Sequence, residues 1–142
     1  MPKKLSPASS NIAAAKLAAA ITITGAIILG SICLNIILTS LSKPSKEIYL
    51  GNSGTSARLL TGLLATQNFE SVLTGDSSLS SRPMKRITEP LAKMNAIIMS
   101  NNGKMPLIIN GRELSNSEID IKIPSAQIKS GVILAALNTK GI

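Results

Sequence analysis

Three short clusters in this chain combine residue types that bind anions. The first is Gly51-Asn52-Ser53-Gly54-Thr55-Ser56-Ala57-Arg58. Glycines there let the backbone approach a ligand closely, N–H groups at a helix start attract negative charge, and Arg58 lies one turn inside. By itself the cluster reads as well as a plain capped helix start. It has neither the lysine of a Walker phosphate loop nor the glycine spacing of a dinucleotide fingerprint. The second cluster is Gly75-Asp76-Ser77-Ser78-Leu79-Ser80-Ser81-Arg82-Pro83-Met84. Arg82 stands immediately before a proline suited to open a helix, which would present a guanidinium fork beside an N-terminus. The alternative is a solvated serine-rich loop with Arg82 on the surface; Lys85 and Arg86 read as solvent-facing helix charges. The third cluster is Pro124-Ser125-Ala126-Gln127-Ile128-Lys129-Ser130. Capping by Ser125 leaves Gln127 in the first turn free to hydrogen-bond whatever sits above it.

The elements that must position these clusters are legible from residue 46 onward. Lys46 to Leu50 reads as a strand ending at Gly51, and Ser53 to Thr66 as a helix with Leu59, Leu60, Leu63 and Leu64 on its apolar face. Ser71 to Thr74 reads as a short strand before the turn Gly75-Asp76. Pro83 fits the first turn of a helix running to Asn95, either bent at Pro90 or split there in two. Ala96 to Met99 and Pro106 to Asn110 read as strands of a hairpin flanking the turn Asn101-Asn102-Gly103. Ile119 to Ile123 alternates apolar and charged residues as a half-exposed strand does. Ser125 to Asn138 reads as a helix with Ser125 as N-cap and Gly141 beyond its end. The expected order is β-α-β-α-β-β-β-α, a mixed α/β pattern in which strand-to-helix turns are the natural ligand sites.

Composition narrows the function further. The 142 residues suffice for one domain with a real core but are few for an enzyme that clamps substrates between two domains. A hydrophobic fraction of 44% with 15% charged residues excludes a disordered chain. Tyr49 and Phe69 are the only aromatics, so base-stacking platforms are lacking and a nucleic-acid partner is not expected. The net charge of +8 favours anionic partners in general. With no histidine and a lone Cys33, a histidine triad, a histidine metal site and an internal disulfide are all excluded, and a reducing cytoplasmic setting fits. Residues 1–45 form an atypical apolar segment, separate from the domain over 46–142. Leu17 to Ser42 carries no charge and is long enough to be a transmembrane candidate, although Thr22, Thr24, Ser31, Asn35 and Thr39 interrupt it. The alternatives there are a membrane anchor over residues 17–41, a buried helix and strand region, or sequence no longer selected for its original fold; a cleaved signal peptide fits poorly.

Taken together and in this spacing, the three clusters resemble 5-enolpyruvylshikimate-3-phosphate synthase, also called 3-phosphoshikimate 1-carboxyvinyltransferase. The resemblance covers about two-thirds of this chain and implies an incomplete part of a β-α-β-α-β-β repeat architecture. It implies that Gly54, Arg82 and Gln127 bind phosphoenolpyruvate, with Asn52, Thr55 and Arg58 supporting the turn. It implies that Ser125, Ala126 and Gln127 bind shikimate 3-phosphate. The implied reaction moves the carboxyvinyl group of phosphoenolpyruvate to a shikimate hydroxyl and releases phosphate, with no metal or organic cofactor, on the way to chorismate and the aromatic amino acids. The related transferase acting on a nucleotide sugar matches the second and third clusters less closely. Two departures stand out. The Lys-Ser pair and nearby arginine with which the family opens have no counterpart around Pro7 to Ile12, and no proton-transfer residue is identifiable, Asp76 and Glu89 being poor substitutes. The expectation is therefore a truncated transferase without activity of its own, complemented by a separate chain carrying the missing domain. A non-catalytic remnant and a membrane-anchored binding protein are the alternatives from other classes.

Overall fold

The computed structural model describes residues 41–121 and 125–139. The apolar stretch read above as an anchor thus lies outside the described residues except at its C-terminal end. Among the described residues no helix is long and apolar enough to cross a membrane.

Among the described residues, four strands and four helices follow one another in the order β1 (Ile48–Tyr49), α1 (Gly54–Ala65), β2 (Glu70–Thr74), α2 (Ser77–Ser81), α3 (Lys85–Lys93), β3 (Ile97–Asn101), β4 (Lys104–Asn110) and α4 (Ala126–Leu137). The strands make one mixed sheet in the order β1-β2-β4-β3. β1 runs parallel to β2, so α1 is the crossover between them, and β4 pairs antiparallel with both β2 and β3. The β3–β4 hairpin turns through Asn102 and Gly103, whose φ angles of 50° and 76° are both positive. A two-residue turn of that hand matches the twist of the strands it joins and selects the Asn-Gly pair. β2 and β4 alternate strictly: Leu73 on one strand, and Met105, Leu107 and Ile109 on the other, turn inward to the core.

Helices α1, α3 and α4 meet at glycines. A Cβ placed on Gly62 would lie 1.9 Å from the carbonyl oxygen of Gly131, and one placed on Gly131 would lie 2.7 Å from the carbonyl of Arg58 and 2.9 Å from Ile87 Cδ1. Backbone touches backbone there. That contact corrects the expected face of α1. Leu64 is buried, but Leu59, Leu60 and Leu63 are only half-buried, and the deepest stripe runs through Ala57, Thr61, Gly62 and Ala65. A helix packed this closely has room for small side chains along the contact and for leucines only at its margins.

Three further expectations change. The serine-rich cluster is ordered as α2, because Asp76 accepts a hydrogen bond from the Leu79 N–H at 2.7 Å and caps the turn. Pro83 stands outside its helix: α3 begins after Met84, whose N–H reaches across to the Gly103 carbonyl at 2.7 Å and whose side chain is buried. Of the two forms left open for this segment, the single helix with Pro90 inside it is the one observed. It stops in a Schellman turn at Asn95 (φ 69°), with Ala96 N–H bonded to Leu91 O and Asn95 N–H to Ala92 O. Finally, residues 119–121 are not a strand. Ile119 and Ile121 alternate with Asp120 because both pack against the core without any ladder partner.

Candidate anion-binding site

The start of α1 is built by side-chain and backbone bonds that keep the turn tight. Gly51 holds φ at 56°, and its carbonyl accepts from Asp76 N–H at 3.0 Å, so the first and second clusters lie side by side. Ser53 is the N-cap, accepting from Ser56 N–H at 3.2 Å. Ala57 N–H goes to Ser53 O and Gly54 N–H to Asn52 O, both at 3.1 Å.

Two arginines converge over Gly54. A Cβ on that glycine would sit 2.9 Å from Arg58 Nη1 and 3.0 Å from Arg82 Nη1, so any side chain there collides with both guanidiniums. Arg82 is the residue that ends α2, its N–H bonded to Leu79 O at 3.1 Å. Its Nη2 donates to Asn52 Oδ1 and, at 3.4 Å, to Ser78 Oγ. Arg58 Nη1 donates to Gly54 O at 3.0 Å and to Gln127 Oε1 at 2.9 Å. Every one of these acceptors is neutral. Burial pushes the Arg58 guanidinium below its ordinary pKa, and the nearby charges of Arg82 and then Arg86 push it the same way. Two cations bonded only to neutral acceptors among the described residues, set at a helix N-terminus, make an environment that an anion relieves.

The site thus joins Asn52, Gly54, Arg58, Arg82 and Gln127 in one network, with Thr55 exposed on the first turn of α1. Ser125 and Ala126 open α4 immediately before Gln127. Ser125 is the N-cap residue of α4 as expected, but two details of the third cluster differ. Ser125 makes no side-chain cap bond; its carbonyl, not its hydroxyl, receives the helix, from Lys129 N–H at 3.0 Å. Gln127 is not free, since its oxygen is held by Arg58. Arg58 is the centre of the network, a role that depends on a contact across 69 residues and carries no local signal. Ser78 also joins through Arg82. The capping spacing from Asp76 to Leu79 was the signal that would have ordered that serine run.

The same residues match known proteins. A family model described as EPSP synthase (3-phosphoshikimate 1-carboxyvinyltransferase) aligns with residues 29–142. The chain belongs to the EPSP synthase family. A 3-phosphoshikimate 1-carboxyvinyltransferase from Ruthia magnifica subsp. Calyptogena magnifica is 54% identical over 105 residues, covering 73% of this chain and 24% of that protein. One from Citrifermentans bemidjiense is 53% identical over 106 residues, covering 73% of this chain and 25% of the relative. The solved structure of EPSP synthase from Acinetobacter baumannii superposes with a TM-score of 0.70 at 47% identity, over 73% of this chain and 24% of that one. The chain therefore spans about a quarter of the length of these EPSP synthases. The mixed α/β fold is that of the family.

Proposed function

We propose that this chain carries one half of a carboxyvinyl-transfer site, binding phosphoenolpyruvate at Gly54, Arg82 and Gln127 and the phosphate of shikimate 3-phosphate at Ser125, Ala126 and Gln127. The observation that carries the reading is the pair of guanidiniums meeting over Gly54 with only neutral partners. The planar fork of Arg82 offers parallel N–H donors to one anionic group of phosphoenolpyruvate, and the charge of Arg58 beside it adds to the positive field at the helix start. The absence of a Cβ at Gly54 leaves its backbone open to that ligand. Ser125 supports the second half of the reading, because its hydroxyl is not used in capping the helix that it opens. Asn52, Thr55 and Arg58 support the turn.

In the transfer, a hydroxyl of the shikimate ring adds to C2 of phosphoenolpyruvate as C3 takes up a proton, and the tetrahedral adduct then loses a C3 proton and phosphate to leave the enol ether. What these residues contribute is charge neutralisation and alignment of the two anions. Proton transfer is not among their roles. Arginine does not deprotonate in proteins, and the Asp76 carboxylate is engaged by the Leu79 N–H. We therefore expect these 142 residues by themselves to bind and not to turn over, with the proton-transfer groups supplied by protein outside them, in the cytoplasm. Calorimetric titration with each substrate, run beside a coupled phosphate-release assay, tests this. Saturable heats without phosphate release are expected. Turnover by the purified chain overturns the half-site, and silence toward both anions overturns the substrate assignment.

A further inference from the structure

The bond between Arg58 and Gln127 does more than join two helices. A guanidinium has five N–H donors and no acceptor, so the carboxamide facing it must turn its oxygen inward. Arg58 Nη1 uses its hydrogens on Gly54 O and Gln127 Oε1, at 3.0 and 2.9 Å. The Nε2 group of Gln127, with two donors, is left on the opposite side of the amide. Four residues further along each helix stand Gly62 and Gly131, whose backbones touch. The α1–α4 separation is set by that contact, and the Arg58–Gln127 bridge spans the same two helices one turn nearer their N-termini. A freely rotating amide offers donor and acceptor alike, and its acceptor face repels a phosphate oxygen.

We infer that Arg58 is a positioning residue that locks the Gln127 carboxamide so that it presents only N–H donors to a phosphate ester at the start of α4. The inference rests on the reading of α4 as a phosphate-ester site, but the lock itself belongs to the ligand-free protein. Its action runs through Gln127, which separates it from a simple contribution of positive charge. Arg58→Lys keeps the charge and loses the planar fork. Gln127→Met removes the amide at similar volume. Gln127→Glu keeps, and strengthens, the bond to Arg58 while replacing the outward donors with an acceptor.

Two measurements test this. The chain contains only two glutamines, so its side-chain Nε2 resonances are two pairs, and the one missing from Gln127→Met belongs to Gln127. Nitrogen relaxation on the ligand-free protein should find the Gln127 pair rigid in the parent chain and averaged in Arg58→Lys, with the melting transition little changed. Titration with shikimate 3-phosphate should then weaken about tenfold in Arg58→Lys but less than about twofold when the same change is made on Gln127→Met. Gln127→Glu should retain the fold and lose binding. Equal weakening by Arg58→Lys in both backgrounds means that Arg58 acts through its charge and overturns the proposal, as does a Gln127 amide that is already averaged in the parent chain. Absence of binding by the parent chain sinks the substrate reading alone, and the relaxation measurement still decides the lock.

Discussion

Arg82 is held by acceptors that carry no charge, so removing it leaves no buried anion behind and the fold should tolerate the loss. Arg82→Ala is expected to lower affinity for phosphoenolpyruvate by about tenfold or more, the loss of one charge-assisted hydrogen-bonding group, while changing stability by less than about 0.5 kcal/mol. Isothermal titration and a denaturant melt on the same sample check both parts; a large fall in stability with binding intact would show that Arg82 is structural. Gly54→Ala should act differently. The new methyl meets Arg58 Nη1 and Arg82 Nη1 at about the distances that real Cβ atoms avoid, 2.9 and 3.0 Å, so the arginines must shift aside. Affinity should fall although every charge is retained. Both substitutions were nameable from the motifs, because arginine beside glycine at a helix start is a chemical pattern visible in one dimension.

At the scale of elements, the closeness of α1 to α4 and the caps are the features most open to test. Gly62→Ala places a methyl 1.9 Å from the Gly131 carbonyl oxygen, far inside van der Waals contact and against backbone that no side-chain rotation relieves. The helices must part, and a loss of about 1 to 3 kcal/mol is expected from urea melts, accompanied by loss of the Arg58–Gln127 bridge. In β2, Ser71 is buried on the core face with its hydroxyl lacking any partner. Ser71→Ala should stabilise the protein by about 1 kcal/mol, since a buried unpaired hydroxyl is costly; a drop in the urea midpoint would count against that account. Asp76→Ala should cost about 1 kcal/mol by uncapping α2 and should loosen Arg82 at its end. Over its described part, residues 119–121, the expected strand is absent for a reason that belongs to this scale: alternation records which side chains turn inward, and a packed loop half-buries Ile119 and Ile121 as a strand would.

For the whole molecule, a net charge of +8 and the pair Arg58 and Arg82, whose side chains bond only to neutral acceptors among the described residues, predict that anions stabilise the fold. Inorganic phosphate at one hundred times its dissociation constant should add about 2.7 kcal/mol by linkage, whereas sodium chloride of equal ionic strength should add less, through screening alone. Equal shifts of the melting midpoint by the two salts would mean that no specific site exists. The same scale separates what sequence alone determined from what tertiary structure decided. The helix starts at Gly54 and Ala126, the Asn102-Gly103 turn and the β1-α1-β2 order were all legible, because caps, turns and periodicity depend on neighbours within about four residues. Tertiary structure decided that Asn52 meets Arg82 across 30 residues and that Arg58 meets Gln127 across 69. The second pairing follows from the place where two helix backbones touch at Gly62 and Gly131, and the first from the bond of Asp76 N–H to the Gly51 carbonyl. A glycine announces only the absence of a side chain, and what fills that space is settled when the helices pack.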